Sequence, residues 1–193
     1  MGVSTNILSI LSDGRMESAA MEYKPELPEK RISDERMAHM HGVAELMYQY
    51  YDAFHCKHLS KEEIYVLGLN HDIGYINGKS DHEFYGADVF AGFCEFGPQN
   101  IIAKCIFHHG DTPKVYMERH MCSEEEIPAE LILLWWADLS VESGGEHAGE
   151  IVGFQRRLDG VKERYGENSA PYQICKKTMA WLINWMSRNF LMR

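Results

Sequence analysis

His71 and Asp72 stand side by side at the end of the apolar run Val66-Leu67-Gly68-Leu69-Asn70, with Gly74 just beyond. An imidazole and a carboxylate at the end of such a run are costly to bury unless something pairs with them, and a metal ion satisfies both. Further donors flank the pair: His39 upstream, then His82, His108-His109 and Asp138 downstream. Of the ten histidines in 193 residues, five fall in this series. Nitrogen and oxygen ligands converging from different helices make a metal site with positions left open for water. Imidazole-rich ligation favours Fe, Mn, Zn, Co or Ni over Mg or Ca, which prefer all-oxygen shells. A fixed dication of that kind lowers the pKa of bound water and stabilises charge on a phosphoryl oxygen. Asp72 can bridge two ions, with His82 and His109 supplying nitrogens to the second. One or two divalent transition-metal ions are the expected cofactor, with Asp72 and His71 at the catalytic centre.

Donors so far apart in sequence need rigid elements to hold them, and the pattern reads as helical throughout. From Asp34 to about His55, apolar residues recur at intervals of three and four: Met37, Met40, Val43, Ala44, Met47, Tyr50, Tyr51 and Phe54. That is one helical stripe, with His39 beside it. Ser60 and Glu63 have capping-box spacing and open a helix that ends on His71-Asp72. Gly74 to Asp81 reads as a loop, His82 to about Phe96 as a helix, and residues 99–109 as another, broken by Gly110 and Pro113. Ser123 and Glu126 repeat the capping spacing before the apolar run Leu131 to Ala137, which carries Asp138 at its end. Two later amphipathic helices follow. Ile151, Phe154, Leu158, Val161 and Tyr165 mark the first, stopped by Gly166, and Cys175, Met179, Leu182, Ile183, Met186 and Phe190 mark the second. No convincing alternating strand pattern and no internal repeat occur, so the fold class is all-α. Residues 1–32, with Pro25 and Pro28, read as an N-terminal extension and connector. Residues 33–193 read as one helical domain with its C-terminal helices at 147–193.

Composition narrows the function. Hydrophobic content of 45 % and charged content of 25 % are ordinary for a globular protein. A formal net charge of −10 argues against non-specific binding to nucleic acid or to an anionic membrane. It leaves room for a small phosphorylated ligand, because a bound dication reverses the local field. The five cysteines form no CxxC pair and are odd in number, which fits free thiols in a reducing cytoplasm. No apolar stretch approaches the roughly 18–20 residues of a membrane span. Ile7 to Leu11 is too short for a signal-peptide core and has no basic flank before it.

Arg36-Met37-Ala38-His39-Met40-His41-Gly42-Val43-Ala44 resembles the opening motif of the HD-domain superfamily, and Leu69-Asn70-His71-Asp72-Ile73-Gly74-Tyr75 resembles its name-giving motif. His82-Glu83-Phe84-Tyr85-Gly86-Ala87, His108-His109-Gly110 and Ala137-Asp138 are similar to the remaining three, in order, over residues 36–138. The resemblance implies an all-helical, metal-dependent phosphohydrolase acting on nucleotides or other phosphate esters and anhydrides. It implies His39, His71, Asp72 and Asp138 as ligands of a first ion. His82 with His108, His109 or both would serve a second, as in the superfamily's binuclear branch; aligning Cys105 with the small residue four before the family's histidine favours His109. It also allows a homodimer. Two binuclear subgroups, the HD-GYP phosphodiesterases and the dinucleoside tetraphosphate hydrolases, have Lys where this chain has Tyr75. Gly110-Asp111-Thr112-Pro113 also departs from the Gly-Tyr-Pro of the former. The same ligand series occurs in diiron oxygenases acting on a small polyol or phosphonate, and a non-catalytic metal- or nucleotide-binding sensor is a further alternative.

Three cations are candidate substrate ligands. Arg36, one turn before His39, offers a forked donor to a phosphate or pairs with a carboxylate on its own helix. Lys79 and Lys114 sit in loops next to ligand motifs. His41 lies about 200° around the helix from His39, so the two cannot face one ion. His55, His58, His120 and His147 read as solvated surface groups. Trp135-Trp136 reads as core, and Glu124-Glu125-Glu126 as a first helical turn favoured by the helix dipole.

Overall fold

A computed structural model describes residues 32–77, 81–93, 100–146 and 150–190. Lys79, His147 and the extension before residue 32 lie outside these. The described residues form eight α-helices and two short 3₁₀ turns, with no strand among them. None of these helices is long and apolar enough to cross a membrane.

Helix α1 (Asp34–Tyr50) starts where Ser33 Oγ accepts the Arg36 N–H, and two acidic residues in its first turn suit the dipole. Its stripe of Met40, Val43, Ala44 and Met47 is buried, while His41 faces solvent, as its position around the helix predicts. Helix α2 (Lys61–Asn70) has both halves of the Ser60–Glu63 capping box. It lies against α1 at very short range, because a Cβ on Gly68 would stand 2.6 Å from Ala44 Cα. Only glycine lets the two backbones come so close, and that approach sets His71 at the end of α2 beside His39 on α1, ring centroids 5.4 Å apart.

After Asp72 the chain makes a 3₁₀ turn, Ile73–Asn77, which packs on α3 (His82–Phe93). Helix α4 (Ile101–His108) is capped by the Asn100 side chain. Pro113 does end that run, but it also begins another helix that the sequence reading did not include. Thr112 caps α5 (Pro113–His120), and Pro113 occupies a first-turn position where its missing N–H costs nothing. The second capping spacing misleads in the opposite sense. Ser123 and Glu126 do pair, but they close only a 3₁₀ turn, Glu124–Glu126, and α6 (Ala129–Ser140) starts after Pro128. Glu124 is held instead by Arg188 and Trp181 on the last helix.

Helix α6 is the axle of the bundle. Every side chain from Glu130 to Ala137 is buried, and it packs against α1, α4 and the two C-terminal helices, α7 (Glu150–Tyr165) and α8 (Ala170–Asn189). Glu130 is fully buried because its Oε1 accepts the N–H groups of Lys57 and His58, pinning the loop after α1. Burying Leu131, Leu133 and Leu134 in one helix contributes about 1.5–3 kcal/mol for each side chain. Asp138 is thereby presented from a helix that cannot shift without opening the core.

Candidate metal centre

Four imidazoles turn their Nε2 atoms towards Asp72, and two of them are aimed by the same local device. His71 Nδ1 donates to the Gly68 carbonyl at 2.7 Å and His109 Nδ1 to the Ile106 carbonyl at 2.6 Å, each three residues back along its own helix end. His39 Nδ1 donates across to the Glu142 carbonyl at 3.2 Å. A ring whose Nδ1–H is engaged this way presents an unprotonated Nε2, the arrangement found behind metal-ligating histidines. His82 completes the four, with Glu83 Oε2 3.3 Å from its Nδ1.

Asp72 lies between two sets of these nitrogens and gives one oxygen to each. Its Oδ2 is 3.4 Å from His71 Nε2 and 4.0 Å from His39 Nε2, while its Oδ1 is 3.3 Å from both His82 Nε2 and His109 Nε2. His39, His71 and Asp72 thus form one potential ion-binding group, and Asp72, His82 and His109 a second. Asp138 Oδ1 closes the first set, 2.9 Å from His39 Nε2 and 3.7 Å from His71 Nε2.

The donor chemistry fits metal. His71 Nε2 is buried and makes no hydrogen bond. The His82 and His109 Nε2 atoms face one another at 3.2 Å, as do His39 Nε2 and Asp138 Oδ1 at 2.9 Å. Lone pairs so opposed repel unless a proton or a cation lies between them. Without a metal, protons and arginines carry that charge. Burial disfavours a charged His71, but Asp72 next to it, with Asp138, outweighs this and pushes its pKa up to about 10. Burial likewise opposes ionised Asp72 and Asp138, yet His71 beside the one and Arg157 beside the other hold both well below the usual carboxylate range. His39 is shifted down, chiefly by burial.

Each site carboxylate also has an arginine. Arg36 Nη1 is 2.6 Å from Asp72 Oδ2, so its partner is not on its own helix. Its guanidinium lies over the Tyr75 ring at 4.2 Å, and that ring packs 4.1 Å from the His82 ring. Arg157 Nη2 is 3.2 Å from Asp138 Oδ1. These groups open into a cavity of about 390 Å³ whose far wall comes from α7 and α8.

The other sequence candidates lie elsewhere. His108 turns away from Asp72: its Nδ1 meets Asp111 Oδ2 at 2.8 Å and its Nε2 meets His120 Nε2 at 3.0 Å. His120, though exposed, is therefore partnered and not simply solvated. Lys114 is solvent-exposed beside Glu118 and does not line the cavity. Trp135 and Trp136 are core, as read, but Trp135 Nε1 also donates towards the carbonyls of His108 and His109, fixing the end of α4. Sequence reasoning missed Arg157, Arg164 and Thr178, all in the cavity wall. The spacing Arg157-Val161-Arg164 was a signal for one helical face, but nothing in it told which face looks into a cavity.

An all-helical bundle that converges histidines and aspartates from separate helices on one shared carboxylate defines the class. The HD domain family model matches residues 36–140, just over half of the chain, and the protein belongs to that family. No curated protein and no solved structure matches it.

Proposed function

We propose that the protein is a metal-dependent phosphohydrolase that cleaves a phosphate ester or anhydride of a nucleotide or another small phosphorylated metabolite. The observation that carries this reading is the division of Asp72 between two imidazole sets, with an arginine on each site carboxylate. His39, His71, Asp72 and Asp138 would hold one divalent ion, and Asp72, His82 and His109 a second. When bound, such ions supply an activated water and offset charge developing on the phosphoryl oxygens.

The protein's own groups do the rest. The cavity lining has four carboxylates (Asp72, Asp81, Glu83, Asp138) against three guanidiniums (Arg36, Arg157, Arg164), so even one dication turns it net positive and suited to an anion. Arg36 is held in place by the Tyr75 ring, and Arg157 by Asp138. Arg36 presents a forked donor at the rim of the ligand cluster, where phosphoryl oxygens gain charge in the transition state, while Arg157 keeps Asp138 ionised. Burial pushes the Tyr75 phenol upward, so it stays neutral and acts through packing, holding Arg36 on one side and His82 on the other. Cys56, Cys105, Cys122 and Cys175 are free thiols, which suits our placement of the protein in a reducing cytoplasm.

Inorganic phosphate release from a panel of phosphate esters and anhydrides, run with metal-replete protein in an anaerobic chamber and in air, tests the reaction class. Hydrolysis needs water alone, so the expected rates are equal in the two atmospheres. Turnover that requires O₂ and oxidises substrate carbon would replace this reading with the oxygenase one.

A further inference from the structure

Two buried polar atoms in the cavity wall have no partner, and neither belongs to the ligand cluster. Thr178 on α8 is only 3 % exposed, and its Oγ1 makes no hydrogen bond. A helical threonine can ordinarily turn its hydroxyl back to a carbonyl one turn earlier, so an orphaned hydroxyl here is unusual. On α7, Arg157 uses Nη2 on Asp138, but its Nε is buried and unpaired. Both residues line the cavity, and Cys175, one turn before Thr178, is close enough to Arg157 and Asp138 to be perturbed by both. Orphaned buried donors and acceptors are costly and call for a ligand or water that completes them.

We propose that α7 and α8 form a leaving-group subsite that selects phosphomonoesters of small alcohols bearing a further hydroxyl, bound through Thr178 Oγ1 and Arg157 Nε. The proposal rests on the phosphohydrolase reading and adds a substrate class to it. Arg157 Nε–H can only donate, and Thr178 can donate or accept, so a hydroxyl oxygen suits both. A second anion is less well matched, because the Arg157 charge is already balanced by Asp138 at 3.2 Å. The same cavity wall also carries apolar side chains, Val161 on α7, Ile174 on α8 and Leu139 on α6, which suit the carbon skeleton of such an alcohol. About 390 Å³ is at the small end of ligand pockets, which favours a compact leaving group over a dinucleotide. Burial pushes the Cys175 thiol up to about 11, so it contributes a neutral surface and not a nucleophile.

The test compares binding of matched phosphomonoester pairs that differ by one hydroxyl. 3-Hydroxypropyl phosphate against propyl phosphate, and ribose 5-phosphate against its 2-deoxy form, are suitable, with calorimetry on metal-replete wild type, Thr178→Val and Thr178→Ser. In at least one pair the wild type should bind the hydroxylated member roughly five- to tenfold more tightly, the worth of one hydrogen bond. Thr178→Val should erase that preference while binding inorganic phosphate and metal as the wild type does, and Thr178→Ser should restore it. Without ligand, Thr178→Val should melt no lower than the wild type, since it only removes an unpaired hydroxyl. The proposal is overturned if the wild type distinguishes no pair, if Thr178→Val keeps the preference, or if that variant melts lower. Phosphate release, measured separately, reports on the phosphohydrolase reading, so the two can fail independently.

Discussion

Asp72→Ala is expected to empty both halves of the site and to reduce phosphate release by more than about a hundredfold, beyond the roughly 10–100-fold typical of changing a metal ligand's outer partner. The reason lies in its two oxygens, one 3.4 Å from His71 Nε2 and the other 3.3 Å from both His82 and His109. Among the described residues, Asp72 is the member common to the two potential ion-binding groups. The loss should also appear in folding. Asp72 is the partner of Arg36 at 2.6 Å and the main charge holding His71 protonated in the metal-free protein. Removing one member of a buried ion pair costs about 3–5 kcal/mol, because the other is left uncompensated. His82→Ala removes a nitrogen from the second set only and should leave the first ion in place, with a smaller loss of rate. Elemental analysis beside the rate assay checks the ranking. Equal losses from the two variants, with the first ion retained in both, would contradict it.

Gly74→Ala should rank next, although Gly74 ligates nothing. A Cβ there would collide with the His82 carbonyl oxygen and stand 2.6 Å from the Gly86 backbone nitrogen. Both are backbone atoms of α3, so no rotamer change relieves the clash, and the 3₁₀ turn and α3 must part. Forced overpacking of this severity costs about 3 kcal/mol or more. The same movement carries His82 away from Asp72, so second-site metal occupancy should fall along with stability. Urea unfolding and metal content report the two effects, and a variant with the wild-type midpoint and both ions would refute this account of the glycine.

The Gly74 case shows what a single sequence makes legible. Helix α2 could be read closely, because the Ser60–Glu63 capping box and the apolar run up to Asn70 are local signals. The order of candidate ligands His39, His71, Asp72, His82, Asp138 was visible too, from the series of donors along the chain and its resemblance to the HD motifs. Signals with two outcomes were less decisive. Pro113 stops one helix and starts the next, and Ser123–Glu126 caps a 3₁₀ turn although its spacing predicts the start of an α-helix. His108 and His109 differ by about 100° around a helix end. Only the packing of α4, with Trp135 against its last carbonyls, sends His109 to Asp72 and His108 to Asp111 and His120. Arg36 found Asp72, 36 residues away, and no carboxylate on its own helix. Arg157 and Thr178 were invisible for the same reason. Their role depends on which face of α7 and α8 looks into the cavity, and that is set by docking on α6.

The shared-carboxylate centre is most directly tested by anomalous scattering from crystals grown under metal-replete, anaerobic conditions, with data collected on either side of the metal's absorption edge. Two ion peaks are predicted, one among His39, His71, Asp72 and Asp138, the other among Asp72, His82 and His109, with Asp72 contributing an oxygen to each. Absence of any metal near these side chains, at any occupancy, would contradict the account.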